Sequence, residues 1–143
     1  METTEPFIIE KTFNAPIKIV WQAITDKDKM KEWYFDIKDF KPELGSESQF
    51  YGGDKHVQYL HFVKVTELVD GKKIAYTWKY ENNPGESLVR FELFEEGNKT
   101  RLKLTHEGLE SFAAINDPNF AKESFVKGWT AIIGTNLKEY LSV

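Results

Sequence analysis

The short turns within Val57–Leu109 constrain this sequence most, because they decide how four consecutive strands pair. Asp70-Gly71 predicts a two-residue hairpin turn, Asn82–Gly85 a four-residue connection, and Gly97-Asn98 another tight turn. Side chains alternate between the two faces of a strand, so each turn also decides which residues share a face. The four strands are therefore predicted to form an antiparallel sheet with one apolar, aromatic face and one polar face.

The same turns predict which residues are neighbours on the apolar face. The first turn places Glu67 opposite Ile74, the second places Trp78 opposite Val89, and the third places Val89 opposite His106. A polar histidine is thus predicted among large rings, where a filled core usually carries aliphatic side chains.

Composition excludes several functions. The 143 residues suit one domain, and 41% hydrophobic with 29% charged residues is typical of a globular protein. The net charge of −4, with no basic block, argues against a nucleic-acid partner. The absence of cysteine excludes disulfides and thiol chemistry. No run approaches the ~20 apolar residues of a membrane span, and the start is no signal peptide. We expect a cytoplasmic protein with a flexible tail at residues 1–6 and one domain at residues 7–143.

The order of predicted elements defines an α+β fold. A strand at Phe7–Phe13 precedes two short helices, the second capped by Asp26. Further strands are predicted at Phe35–Phe40 and Ser46–Tyr51, before the four-strand sheet. Asp117-Pro118 then begins a long C-terminal helix. A sheet with one apolar face needs a cover, so about six to seven strands are expected to wrap around this helix.

The long helix carries an apolar stripe that includes Trp129 and Ile133. Gly128 and Gly134 interrupt the helix, although glycine is unfavourable inside one. The sequence predicts that these glycines let a neighbouring backbone or bulky ring come close.

Four segments carry a family resemblance: FNAPIKIVWQAITDKDKMKEW from Phe13, KVTELVDGKKIAYTW from Lys64, TRLKLTHEGL from Thr100 and GWTAIIGTNLKEYL from Gly128. Together they resemble single-domain homologues of the activator of the heat-shock-protein-90 ATPase, within the START-like, birch-pollen-allergen-like helix-grip superfamily. The resemblance covers nearly the whole chain and implies a helix-grip fold. It also implies a cavity between the sheet and the terminal helix that holds a small apolar molecule. Some branches of the superfamily are transporters, some are cyclases or hydrolases, and some bind protein partners. One departure is that only Gly45 remains where many relatives carry a glycine pair.

The apolar face supplies the predicted ligand site. Its apolar walls are Trp78, Phe91, Trp129 and Ile133, and its polar tips are Tyr76, Tyr80 and His106. The alternative is that these rings pack together and leave no void. The tyrosine hydroxyls favour a pocket, because a dry core would leave them needing partners.

His106 has two further interpretations. It could be a core histidine satisfied by a backbone carbonyl or by Asn136 of the long helix. It could also perform acid–base chemistry on a bound ring, together with a tyrosine, since histidine titrates near neutral pH.

Other catalytic or metal sites are excluded by spacing. His61 and His106 are predicted three strands apart, about 14 Å, which is too far for one metal ion. Ser87 and His61 are predicted two strands apart, roughly 9–10 Å, beyond hydrogen-bond reach. Glu67 is either solvated at the rim or a cavity acid, and it lacks a second inward carboxylate. Neither a phosphate loop nor a dinucleotide motif is found, so no cofactor is predicted.

Three functions remain open from the sequence. The first is non-catalytic binding of a small, largely apolar molecule. The second, implied by the resemblance, is a protein-interaction module that stimulates a heat-shock-protein-90-type chaperone in a stress response. An outer patch at Phe62, Lys79 and Leu88 would then contact the chaperone or a second copy. The third is a cyclase- or hydrolase-like enzyme that uses His106.

Overall fold

Six antiparallel strands form one sheet in the order β1-β6-β5-β4-β3-β2. The computed structural model describes residues 6–53, 58–81, 85–112 and 122–141. The strands are β1 (Phe7–Phe13), β2 (Glu47–Gly53), β3 (Gln58–Val69), β4 (Lys73–Tyr80), β5 (Glu86–Glu96) and β6 (Lys99–Glu107). β1 and β2 are the two edges, so the first strand of the chain lies beside the last.

The helices confirm the predicted α+β fold, with a curved sheet and a long C-terminal helix. The helices α1 (Ile17–Thr25) and α2 (Lys27–Trp33) follow β1, and a 3₁₀ turn at Leu109–Phe112 follows β6. As predicted, the Asp26 carboxylate caps α2 by accepting a hydrogen bond from the Asp28 N–H at 2.9 Å. The terminal helix, residues 122–141, consists of α3 (Lys122–Ala131), a π-helical segment (Ile132–Leu137) and α4 (Lys138–Leu141). The predicted helix start at Asp117-Pro118 and most of the N-terminal tail lie outside the described residues.

The alternation of faces is confirmed. Trp78 is only 4% exposed, and Tyr76, Val89 and Leu104 are buried on the same face. The predicted pairing of Val89 with His106 is also confirmed. The aromatic face of the sheet therefore points into the core, under the terminal helix.

A β-bulge changes the position of Glu67. The predicted β3–β4 pairing holds through Val65, after which the register shifts by one residue and Glu67 pairs with Ala75. The Glu67 carboxylate consequently lies on the outer face, 2.9 Å from Arg90 and 3.1 Å from Lys73. The hydrogen bond from Arg90 and, to a smaller extent, the hydrogen bond from Lys73 lower the pKa of Glu67. The prediction that Glu67 shares the inner face with Ile74 was wrong.

The predicted β4–β5 pairing was wrong by two residues. Trp78 pairs with Ser87 rather than with Val89. The connection takes up two more residues than predicted, because β4 ends at Tyr80 and its last pair is Lys79 with Glu86. Gly85 lies in this longer connection, buried against Phe112, whose ring occupies the space where a Cβ would lie. A shift of two residues leaves every side chain on its predicted face but changes its neighbours.

Residues 34–46 contain neither helix nor strand, so the strand predicted at Phe35–Phe40 was wrong. The backbone of residues 35–40 makes local turn bonds, for example from the Phe40 N–H to the Ile37 carbonyl at 3.1 Å, whereas Gly45 and Ser46 bond to the sheet, at Val65. Ile37 and Phe40 are nevertheless buried, which accounts for the misleading apolar pattern. We call residues 34–46 the lid segment, because long connections without helix or strand often cover functional sites.

The terminal-helix glycines also differ from prediction. A Cβ added at Gly128 or Gly134 would meet no atom of the described residues within 4 Å. Neither glycine is therefore explained by a close neighbour in that part of the chain. No helix within the described ranges is long and apolar enough to cross a membrane.

The close packing of Gly85 can be tested by substitution. A Cβ at this position would lie 2.2 Å from Phe112 Cδ1 and 2.8 Å from the Ser111 carbonyl oxygen. We expect Gly85→Ala to lower the free energy of unfolding by about 2 kcal/mol, measured by urea denaturation, because overpacking forces neighbours to move. Gly128→Ala is the control and should raise it by up to about 1 kcal/mol through helix propensity. A neutral effect of Gly85→Ala would contradict the tight contact.

Candidate functional site

The predicted apolar walls meet inside the fold. The Trp129 ring of α3 lies 5.6 Å from Trp78 of β4 and 6.2 Å from Phe91 of β5, between ring centroids. Ile133, one turn further along the terminal helix, is fully buried. Trp129 therefore projects from the helix onto the aromatic face of the sheet.

The polar tips are buried too, but they lie at different places. Tyr76 contacts Phe91, with ring centroids 6.1 Å apart, and is 1% exposed. Tyr80 lies further along β4, 5.3 Å from Phe112. His106 lies 5.9 Å from the Trp129 ring. His106 thus lies beside Trp129, Tyr76 beside Phe91, and Tyr80 towards the 3₁₀ turn.

A chain of hydrogen bonds holds His106. The indole N–H of Trp129 donates to His106 Nδ1 at 2.9 Å, and His106 Nε2 lies 2.7 Å from Ser87 Oγ. An indole nitrogen can only donate, so Nδ1 accepts and the neutral ring carries its proton on Nε2. Nε2 then donates to Ser87, whose hydroxyl donates to the Trp78 carbonyl at 3.1 Å.

This arrangement keeps His106 neutral. Its side chain is fully buried, and burial lowers its pKa from 6.5 to about 3. Its partners are Trp129 and Ser87, not the backbone carbonyl or the Asn136 considered from the sequence; Asn136 is exposed.

The Ser87–His106 pair was missed by the sequence analysis. The predicted β5–β6 pairing, which is confirmed, already places Ser87 diagonal to His106 on the inner face, so the sequence contained this pair. The β4–β5 shift changed only the partner of Ser87 on β4, which is Trp78. A serine beside a histidine suggests a nucleophile with its base. Here, however, Nε2 already carries the proton and Nδ1 is bound to Trp129, so neither nitrogen is available to accept the Ser87 proton.

The tyrosine hydroxyls are paired inside the protein. The hydroxyl oxygens of Tyr76 and Tyr34 lie 2.7 Å apart, and the Trp78 indole N–H donates to the Tyr80 hydroxyl at 2.8 Å. Burial raises the pKa of Tyr34, Tyr76 and Tyr80, so all three remain neutral phenols. In the described part of the chain, no buried side-chain nitrogen or oxygen lacks a hydrogen-bond partner.

Tyr34 was not predicted, although it lies at the centre of the site. It is the first residue of the lid segment, and its ring lies 6.0 Å from Trp129 and nearly parallel to it, at 23°. It also meets Phe91 edge-on at 6.3 Å. The run Trp33-Tyr34-Phe35 directly after α2 was the signal available in the sequence.

Two other lid rings enter the interior beside Tyr34. Phe35 lies 4.7 Å from Phe50 and 6.2 Å from Trp78, and Phe40 lies 6.1 Å from Tyr76. The lid segment, rather than the sheet or the terminal helix, therefore supplies these rings.

Tyr34 also borders a surface cleft of about 520 Å³ between α2 and the terminal helix. We call it the Tyr34 cleft; its lining residues are Lys31, Glu32, Trp33, Tyr34, Asn136, Glu139 and Tyr140. The π-helical segment contributes Asn136 to this cleft, and such segments are frequent at functional sites. Tyr34 thus separates the cleft from the aromatic interior.

His61 belongs to the aromatic cluster rather than to a metal site. Its ring stacks on Phe50 at 4.5 Å, and its Nδ1 lies 2.8 Å from the Tyr59 carbonyl oxygen. Burial lowers its pKa to about 4. Across the described residues, no group of three or more metal-ligating side chains comes together.

The curved sheet, the helix that closes it and the aromatic interior define a helix-grip protein of the START-like superfamily. The chain belongs to the family described as "Activator of Hsp90 ATPase homolog 1-like protein", whose model matches residues 14–142. No curated protein matches the chain.

Solved structures with the same fold come from several bacteria. CalU16 from Micromonospora echinospora is 23% identical, with a TM-score of 0.72 over 96% of this chain and 76% of its own. CV1439 from Chromobacterium violaceum is 16% identical, with a TM-score of 0.80 over 99% of both chains. DynU16, from the dynemicin biosynthetic locus, is 18% identical, with a TM-score of 0.80 over 99% of this chain and 48% of its own. At these identities the similarity establishes the fold.

The buried histidines His61 and His106 are expected to make the stability of the protein depend on pH. In the unfolded chain, His61 and His106 become protonated below about pH 6.5. In the folded protein, burial delays protonation to about pH 4 for His61 and about pH 3 for His106. Unfolding therefore takes up protons, and the free energy of unfolding falls as pH is lowered. At pH 5 each histidine should contribute about 2 kcal/mol to this loss.

Chemical denaturation of His106→Asn between pH 7 and pH 5 checks this expectation. Asparagine still offers an oxygen to Trp129 but does not titrate, so the variant should lose about half as much stability over this range as the parent protein. Identical pH slopes for the two proteins would show that His106 is not a buried neutral imidazole.

Proposed function

We propose that this protein binds a small, largely apolar molecule between the sheet and the terminal helix, without converting it chemically. The proposed walls are Trp78, Phe91, Trp129 and Ile133, and the proposed polar tips are Tyr76, Tyr80 and His106. The absence of cysteine fits a reducing, cytoplasmic setting.

The observation that carries the proposal is the origin of the ring beside Trp129. Tyr34 of the lid segment occupies the space bounded by Trp129, Phe91 and Tyr76. Because Tyr34 lies outside every helix and strand, it can leave without breaking the sheet. A guest molecule that enters through the Tyr34 cleft would take its place.

The state of His106 supports binding rather than catalysis. Both of its ring nitrogens are engaged, and burial keeps it neutral. Acid–base catalysis needs a group within reach of the substrate and able to exchange a proton near the working pH. A pKa of about 3 does not suit that role at neutral pH.

Binding can be measured with N-phenyl-1-naphthylamine, a neutral apolar dye that accepts energy from tryptophan. We expect saturable binding, with quenching of the protein's tryptophan emission. Trp78→Ala should change the affinity at least fivefold, because Trp78 forms part of the wall.

Phe94→Ala is the matched control, since Phe94 is an exposed ring on β5, with Arg101 stacked on it at 4.3 Å. It should leave the affinity unchanged. The proposal fails if the folded protein shows no saturable binding, or if Phe94→Ala rather than Trp78→Ala weakens it.

A second candidate function is stimulation of a heat-shock-protein-90-type ATPase. It is favoured by the family match and by a cleft of about 540 Å³ on the outer face, to which the predicted patch residues Phe62 and Lys79 contribute. A chaperone or a second copy of this chain could dock there.

ATP turnover by the heat-shock-protein-90 homologue of the same organism tests this candidate. Adding the purified protein should raise the turnover, and Phe62→Glu should reduce the increase by placing a charge in the outer cleft. Trp78→Phe, which alters only the interior, should keep the stimulation. An unchanged turnover with the parent protein rejects the candidate.

A further inference from the structure

The side chain of Tyr34 indicates what kind of molecule the interior accepts. Its phenol ring stacks on Trp129 at 6.0 Å, meets the edge of Phe91 at 6.3 Å and places its hydroxyl 2.7 Å from that of Tyr76. Flat stacking and edge contact are the arrangements that aromatic rings prefer. The surroundings are thus complementary to a planar ring with one hydroxyl.

Tyr76 makes this complementarity chemically selective. It is 1% exposed, so water cannot readily replace Tyr34 as its partner. A guest that displaced Tyr34 without a polar group would leave the Tyr76 hydroxyl buried and unpaired, which is costly. A guest with its own hydroxyl restores the bond. Sites built around a buried hydroxyl therefore discriminate against analogues that lack one.

The other polar tips do not impose this condition. The Trp78 indole donates to Tyr80 from the same strand, and His106 is held between Trp129 and Ser87. These bonds lie within the sheet or join it to the terminal helix, and none of their partners belongs to the lid segment. The hydrogen bond of Tyr76 is different, because its partner Tyr34 belongs to the lid segment.

We propose that the interior takes a planar aromatic molecule carrying a hydroxyl group, which replaces the ring of Tyr34 and hydrogen-bonds to Tyr76. This inference rests on the proposed binding function and specifies its ligand class. The entrance is the Tyr34 cleft, and movement of the lid segment removes the competing ring.

Calorimetric titration with 2-naphthol and naphthalene tests the inference, because the two molecules share a ring system and differ by one hydroxyl. We expect the parent protein to bind 2-naphthol at least tenfold more tightly. Tyr76→Phe should reduce this preference to less than threefold, because the hydroxyl that selects the phenol is gone.

Tyr34→Phe provides an independent readout. The tyrosine pair forms only when the lid is closed, so its loss destabilises the closed state and leaves the open state unchanged. Both compounds should therefore bind severalfold more tightly, and the ratio of their affinities should stay the same. Tyr51→Phe is the matched control, since Tyr51 is 65% exposed on β2, and it should change neither affinity. Near-ultraviolet circular dichroism verifies that each variant is folded. If Tyr76→Phe does not fold, the affinity ratio of the parent protein and the affinities of Tyr34→Phe still test the inference.

Each contrary result has a distinct meaning. Equal affinities for the two compounds in the parent protein, or a preference retained in Tyr76→Phe, overturn the phenol inference and leave apolar binding standing. Unchanged affinities in Tyr34→Phe show that this ring is not displaced and also overturn it. If the folded protein binds neither compound nor the apolar dye, the proposed function fails and the inference with it.

Discussion

The hydrogen bond from the Trp129 indole to His106 Nδ1 joins the terminal helix to the sheet inside the core. Both side chains are buried, so each polar atom would cost free energy without its partner. The indole can only donate, which fixes the tautomer of His106 and, through Nε2, the hydrogen bond to Ser87. The position of the helix and the proton arrangement of the network therefore depend on each other.

The aromatic rings of the interior differ in how firmly their backbone is held. Trp78, Phe91 and Trp129 belong to strands and the terminal helix, whose backbones are held by regular hydrogen bonds. Tyr34 belongs to a segment whose backbone bonds to α2 at one end and to β3 at the other, and which is held between them by local turns and side-chain packing. Its hydroxyl pair and its stacking each contribute on the order of 1 kcal/mol. A ligand of modest size can offset that amount, whereas removing a strand residue would disrupt the sheet.

The sequence was sufficient for the faces of the sheet but not for the pairing within them. Period-two alternation placed Trp78 and His106 inward correctly, because a two-residue slip preserves the face. Turn preferences could not reveal that the connection between β4 and β5 takes up two more residues than predicted, which places Ser87 beside Trp78. The bulge after Val65, which turned Glu67 outward, likewise has no clear signal in the alternating pattern.

Tyr34 was missed for a different physical reason. Its neighbours Tyr76 and Trp129 lie 42 and 95 residues away in the chain, so local periodicity carries no information about their contact. The hydroxyl of Tyr76 also needs no ligand as its partner, contrary to the expectation from the sequence, because Tyr34 supplies that partner. An interior filled by the chain's own lid is nevertheless compatible with binding. In the proposed mode of binding, the apparent affinity is the intrinsic affinity multiplied by the fraction of molecules with the lid open. Residues 34–46 would then set the affinity, and Tyr76 would set the selectivity.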